Sequence, residues 1–76
     1  MEQILQTIIE NLVDNKEEIS IGKAEENGKE IYRIKVASNE MGKVIGKQGA
    51  IAKSIRTVAR AIGSKEQKKV EVEFVD

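Results

Sequence analysis

The sequence predicts an α+β domain in which three helices pack on one face of a three-stranded mixed sheet. Three observations carry this. The spacing of apolar residues along the 76-residue chain runs helical, then alternating, then helical, then alternating again. Asn27-Gly28 stands between two alternating runs, the strongest short-range signal of a β-hairpin. Gly46-Lys47-Gln48-Gly49 interrupts one helical pattern and opens another, so two helices separate the hairpin from the last strand.

Taken in order, Ile4, Leu5, Ile8, Ile9, Leu12 and Val13 form a helical stripe, with Glu2, Gln6, Glu10 and Asp14 off it. A first helix over about residues 2–14 follows, and residues 15–18 end it. Ile19 and Ile21 alternate with Ser20 and Gly22, and beyond the Asn-Gly turn Tyr32, Ile34 and Val36 alternate with Arg33 and Lys35. Ser38 or Asn39 can cap a short helix through Met41, Val44 and Ile45. Another helix runs from Ala50 to Ile62. Ile51, Ile55, Val58 and Ile62 fall on its inner arc, Lys53, Arg56 and Arg60 lie roughly opposite, and Gly63 is the expected terminator. Val70, Val72 and Phe74 then alternate with Glu71 and Glu73 in a final strand. The two intervening helices form a crossover, which makes the second and third strands parallel neighbours and leaves the hairpin antiparallel. The outer sheet face, carrying Arg33, Lys35, Glu71 and Glu73, is expected in water.

Composition excludes much. With neither cysteine nor histidine, the chain lacks the usual zinc ligands, general base and strong nucleophile. No catalysis, metal, cofactor or small-molecule substrate is expected. No apolar run reaches the roughly 18–20 residues of a membrane span, and no secretory pattern is visible, so a cytoplasmic protein with no membrane role is expected.

The formal charge is zero, yet it is segregated. Residues 1–31 hold eight acids and three bases, whereas residues 41–69 hold eight bases and one acid, Glu66. The glycine loop lies inside that basic segment, where glycines admit a close ligand and a new helix offers free N–H groups to an anion.

The spacing removes two phosphate-binding motifs. A nucleotide P-loop needs four residues between its first glycine and the Gly-Lys pair, and then Ser or Thr. Gly42 to Gly46 has three between, and Gln48 stands where the hydroxyl belongs. A dinucleotide fingerprint fails because Val44 occupies its first glycine position. The remaining pattern is an aliphatic pair, G-x-x-G and an aliphatic residue two positions on: Val44, Ile45, Gly46, Lys47, Gln48, Gly49 and Ile51.

In these residues, and in the order of its elements, the sequence resembles the KH-domain family in its type II arrangement. One KH unit spans residues 1–76, and the run MGKVIGKQGAIAKSIRTV is similar to that of the small bacterial KhpA family. The resemblance implies binding of single-stranded RNA, with about four nucleotides clamped by the loop. On that footing Gly46 and Gly49 give the RNA backbone access, Lys47 supplies a charge and Gln48 supplies donors. Gly42, Ile45 and Ala50 wall a shallow groove, and Lys43, Lys53 and Arg56 complete the expected RNA-binding set. Lys65, Lys68 and Lys69 either touch phosphate or are simply solvated. With Tyr32 and Phe74 both expected inward, no aromatic platform stacks bases.

The resemblance further implies a chaperone-like or post-transcriptional role linked to cell shape and envelope growth. It also implies self-association or pairing with a larger KhpB-type RNA-binding protein, consistent with a single low-affinity module. The rival expectation is a protein-interaction adaptor on the same scaffold, against which Lys47 between glycines argues.

Overall fold

A computed structural model describes residues 1–75. Helix α1 spans Glu2–Glu10, strands β1 and β2 span Ser20–Glu26 and Lys29–Lys35, helices α2 and α3 span Met41–Ile45 and Ala50–Lys65, and strand β3 spans Lys69–Phe74. The sheet order is β1-β2-β3, antiparallel in the hairpin and parallel across the crossover, as expected. Asn27 and Gly28 form the two-residue hairpin turn, both with positive φ, between paired Glu26 and Lys29.

The first helix is shorter than its stripe. It stops at Glu10, and a tighter turn, in which the N–H groups of Leu12 and Val13 both donate to the Ile9 carbonyl, delivers Val13 to the core. Leu5, Ile9 and Val13 are buried, whereas Ile4 is 42% exposed. They pack with Tyr32, Ile34 and Val36 of the central strand and its extension, Val44 of α2, Ile55 and Ala59 of α3, and Val70 and Val72 of β3.

The buried side of α3 differs from the expected arc. Val58 is 45% exposed, Ile51 and Ile62 are only half-buried, and the buried line is Ala52, Ile55, Ala59 and Gly63. At 100° per residue the helix is turned by about 70° from the arc of its large apolar side chains. The cause is proximity at the end of the helix: α3 lies so close to β3 that a methyl on Gly63 would come within 2.5 Å of Val70 Cγ2 and 3.1 Å of the Lys68 carbonyl oxygen. Gly63 is therefore not the terminator. The helix runs to Lys65 and closes as a Schellman motif, with Lys68 N–H donating to the Gly63 carbonyl at 2.8 Å, Gln67 N–H to that of Ser64 at 3.0 Å, and Gln67 at φ 59°.

Neither Ser38 nor Asn39 caps α2 through its side chain; Ser38–Glu40 forms a single 3-10 turn. On the outer sheet face, ion pairs Lys29–Glu71, Arg33–Glu73 and Arg33–Glu26 flank Ile31, which is 5% exposed although it lies on the face expected in water.

Candidate nucleic-acid interface

The loop is built from a dense run of left-handed backbone. Gly46 (φ 77°, ψ 176°) ends α2, its N–H donating to the Gly42 carbonyl at 2.9 Å. Gln48 follows at φ 55°, and Gly49 (φ 77°, ψ 14°) turns the chain into α3. The two glycines do different work. The side of Gly46 where a Cβ would stand is filled by Ile51, whose Cγ1 would lie 2.6 Å away, so this glycine seats the loop on the core. A Cβ on Gly49 would meet nothing within 4 Å, so that surface is open to an approaching backbone. Lys47 and Gln48 are both exposed between them. The left-handed Gln48 escaped sequence reasoning, although a polar residue sandwiched between glycines was its one available signal.

The other expected RNA-binding residues divide into two sets. Gly42 and Ala50 are exposed beside the loop, and Ile45 is half-buried against the core. Lys53 is exposed on the first turn of α3. Arg56 leans from α3 to the free edge of β3: its Nε donates to the Val72 carbonyl at 3.0 Å, and its guanidinium lies over the half-buried Phe74 ring, 5.5 Å from the centroid. It thus bridges the loop-bearing helix and the outermost strand. Lys43 instead turns towards the end of the first-helix region, its Nζ donating to Asp14 at 2.9 Å and to Glu40 at 3.1 Å. Those bonds hold its pKa above the ordinary lysine value. Lys68 lies 3.5 Å from Glu30, which also faces Lys23 at 3.6 Å, whereas Lys65 and Lys69 are exposed with no carboxylate in ion-pair range among the described residues.

Glu40 was invisible in the sequence. It is 4% exposed, and its carboxylate accepts the N–H groups of Asp14 at 2.6 Å and Asn15 at 2.9 Å. These bonds, and Lys43, hold its carboxyl below the usual range against the opposing effect of burial. Glu40 ties the turn after α1 to the start of α2, the helix that ends in the loop. It sits in a polar Ser-Asn-Glu stretch, and its partners lie twenty-five and twenty-six residues upstream, so no local pattern marks it.

Helix, hairpin, short helix, G-x-x-G loop, long helix and parallel strand together define a KH domain in the type II order. The family profile described as "KhpA/KhpB, KH domain" matches residues 2–74. The chain belongs to that family. It is similar to the RNA-binding protein KhpA of Clostridium acetobutylicum, 48% identical over 75 residues that cover 99% of this chain and all of the relative. The RNA-binding protein KhpA of Listeria monocytogenes is 42% identical over the full length of both chains, and that of Chlamydia trachomatis 36% identical over all of this chain and 97% of its own. No solved structure matches. Among the described residues no helix is long and apolar enough to cross a membrane.

Proposed function

We propose that this chain binds single-stranded RNA, clamping its sugar-phosphate backbone against Gly49 while Lys47 and Gln48 engage phosphate. The carrying observation is the loop itself: an open glycine face flanked by two exposed polar side chains, standing at the start of α3, the helix from which Arg56 reaches the edge strand β3. Phosphate contacts supply most of the affinity, and base edges meet the surface at Gly42, Ile45 and Ala50, the walls of the expected groove. Lys53 and Arg56 extend the positive surface, and Lys43, held by two carboxylates, contributes mainly by fixing α2.

The proposal includes no catalytic step. It places the protein in the cytoplasm as an RNA chaperone or post-transcriptional regulator bearing on cell shape and wall growth. Its partner there is a second copy or a KhpB-type protein, because one module without an aromatic platform gains affinity by pairing.

The test replaces Lys47 and Gln48 together with Asp. Aspartate tolerates the left-handed backbone at position 48, so the fold is retained. RNA affinity measured by fluorescence anisotropy falls by at least about tenfold near 0.1 M salt, since phosphate contacts are lost and negative charges oppose the backbone. Unchanged affinity in a folded double variant refutes the clamp and favours the adaptor reading.

A further inference from the structure

The distribution of ion pairs points to a surface beyond the clamp. Wherever else the fold brings acids near its cations, they are matched: Lys29 with Glu71, Arg33 with Glu26 and Glu73, Lys23 and Lys68 with Glu30, and Lys43 with Asp14 and Glu40. Among the described residues Lys16, Lys35, Lys47 and Lys69 stand unmatched on separate elements, whereas helix α3 carries unmatched cations as a group. Its sixteen residues contain no acid, and Lys53, Arg56 and Arg60 have no carboxylate within ion-pair distance among the described residues.

Their spacing makes a row. Lys53 and Arg60, seven residues apart, lie nearly in line along the helix at about 10 Å separation, with Arg56 between them on the side of β3. Lys53 and Arg56 are three apart and Arg56 and Arg60 four apart, so like charges face one another at both helical neighbour distances, an arrangement that destabilises a free helix. Acids at Thr57 or Ser64 would relieve that repulsion, yet hydroxyls stand there, and the Thr57 hydroxyl donates to the Lys53 carbonyl. An anionic ligand laid along the row removes the repulsion. Lys53 stands exposed on the first turn of α3 directly after the loop, so the row starts where the clamp ends.

We propose that RNA leaving the G-x-x-G clamp continues along α3, with Arg60 contacting phosphate beyond the clamped nucleotides, so that the protein binds a longer single strand than a lone clamp would. This extension rests on the clamp reading and reads backbone only, because the row offers cations and no aromatic surface.

The test uses two oligouridylates, a tetranucleotide that fills the clamp and a strand of about ten nucleotides, within the range of single-strand sites. Arg60→Gln is compared with Lys35→Gln, which removes one charge from an exposed residue of the opposite sheet face. One phosphate contact on single-stranded nucleic acid contributes about 0.7 to the slope of log affinity against log salt. Arg60→Gln therefore lowers that slope by about 0.7 on the long strand and its affinity roughly fivefold at 0.1 M salt, leaving the tetranucleotide unchanged. Lys35→Gln leaves both strands near the parent values. If Arg60→Gln matches Lys35→Gln on the long strand, or weakens both strands equally, the extension is overturned while the clamp stands. If the parent binds neither strand, clamp and extension fall together.

Discussion

The two loop glycines respond differently to the same methyl group. In Gly46→Ala the new residue must hold φ 77°, ψ 176°, a region essentially confined to glycine, at a cost of about 1–3 kcal/mol. Its Cβ also lies 2.6 Å from Ile51 Cγ1 and 3.0 Å from both Cβ and Cδ1 of that residue, and displacing a β-branched side chain packed on the core costs a further 1–3 kcal/mol or so. The total, about 2–6 kcal/mol, is a large part of the roughly 4–11 kcal/mol expected for a domain of this length. Gly49→Ala meets no atom within 4 Å and only the left-handed helical penalty, about 1–2 kcal/mol. In urea denaturation, with a slope near 1 kcal/mol/M for so small a domain, the midpoint falls by about 2 M or more for Gly46→Ala and by about 1–2 M for Gly49→Ala. Ile51→Ala in the Gly46→Ala background costs about 1–3 kcal/mol less than in the parent, because it removes the Cγ1 and Cδ1 atoms that clash. Under conditions where each variant is folded, Gly49→Ala is the one that weakens RNA binding, since its methyl stands on the open face. Equal midpoint losses for the two alanines, or strict additivity with Ile51→Ala, would refute the division of labour between them.

Two further predictions concern the supports of the site. Gly63→Ala, which in an exposed helix would add about 1 kcal/mol of stability, here destabilises by about 1–3 kcal/mol because its methyl meets Val70 Cγ2 at 2.5 Å; a double-mutant cycle with Val70→Ala measures the coupling, and additivity contradicts the close-packing account. Glu40→Gln keeps the side-chain shape but loses the carboxylate that accepts two backbone N–H groups, so the variant has a lower urea midpoint at pH 7. Because folding depresses the Glu40 pKa from a reference near 4.5, its contribution is fully present above that value and is lost as pH falls through the lower folded value. The parent-minus-variant difference is constant from pH 7 to about 5 and shrinks below about 4.5; a difference that holds through acid pH contradicts the assignment.

The parts of the fold that local chemistry decides were legible in the sequence. Asn27-Gly28 sets a two-residue turn and hence the hairpin register, and the period change beyond the glycine loop sets the crossover that makes β3 parallel to β2. Contacts across the chain were not legible. The inner line of α3 is Ala52, Ile55, Ala59 and Gly63, and three of those four residues are too small to register as hydrophobic, so the larger Val58 drew the arc away from the true face. Gly63 followed a rule for helix ends that holds when nothing packs on it; Val70 packs on it. Charge counted along the sequence placed Lys43 in the basic set, but a count carries no distances, and Asp14, 2.9 Å away, belongs to a segment twenty-nine residues earlier.

The small inner face of α3 also decides how Arg56 meets the edge strand. Had Ala59 or Gly63 been large, the helix would stand further from β3, and Arg56 on its flank could not both reach the Val72 carbonyl at 3.0 Å and keep its guanidinium over Phe74. That bond satisfies a carbonyl on the outer edge of the sheet, where an open strand invites pairing with another chain. It also employs only Nε, and the Nη groups of Arg56 have no carboxylate partner among the described residues. The same side chain therefore ties α3 to the edge strand while its Nη groups keep donors to spare. Packing at Gly63 and the placement of Arg56 depend on the same approach of α3 to β3, so on the proposed reading a substitution that lifts α3 from β3 is expected to weaken RNA binding, measured by fluorescence anisotropy, without touching a residue of the loop.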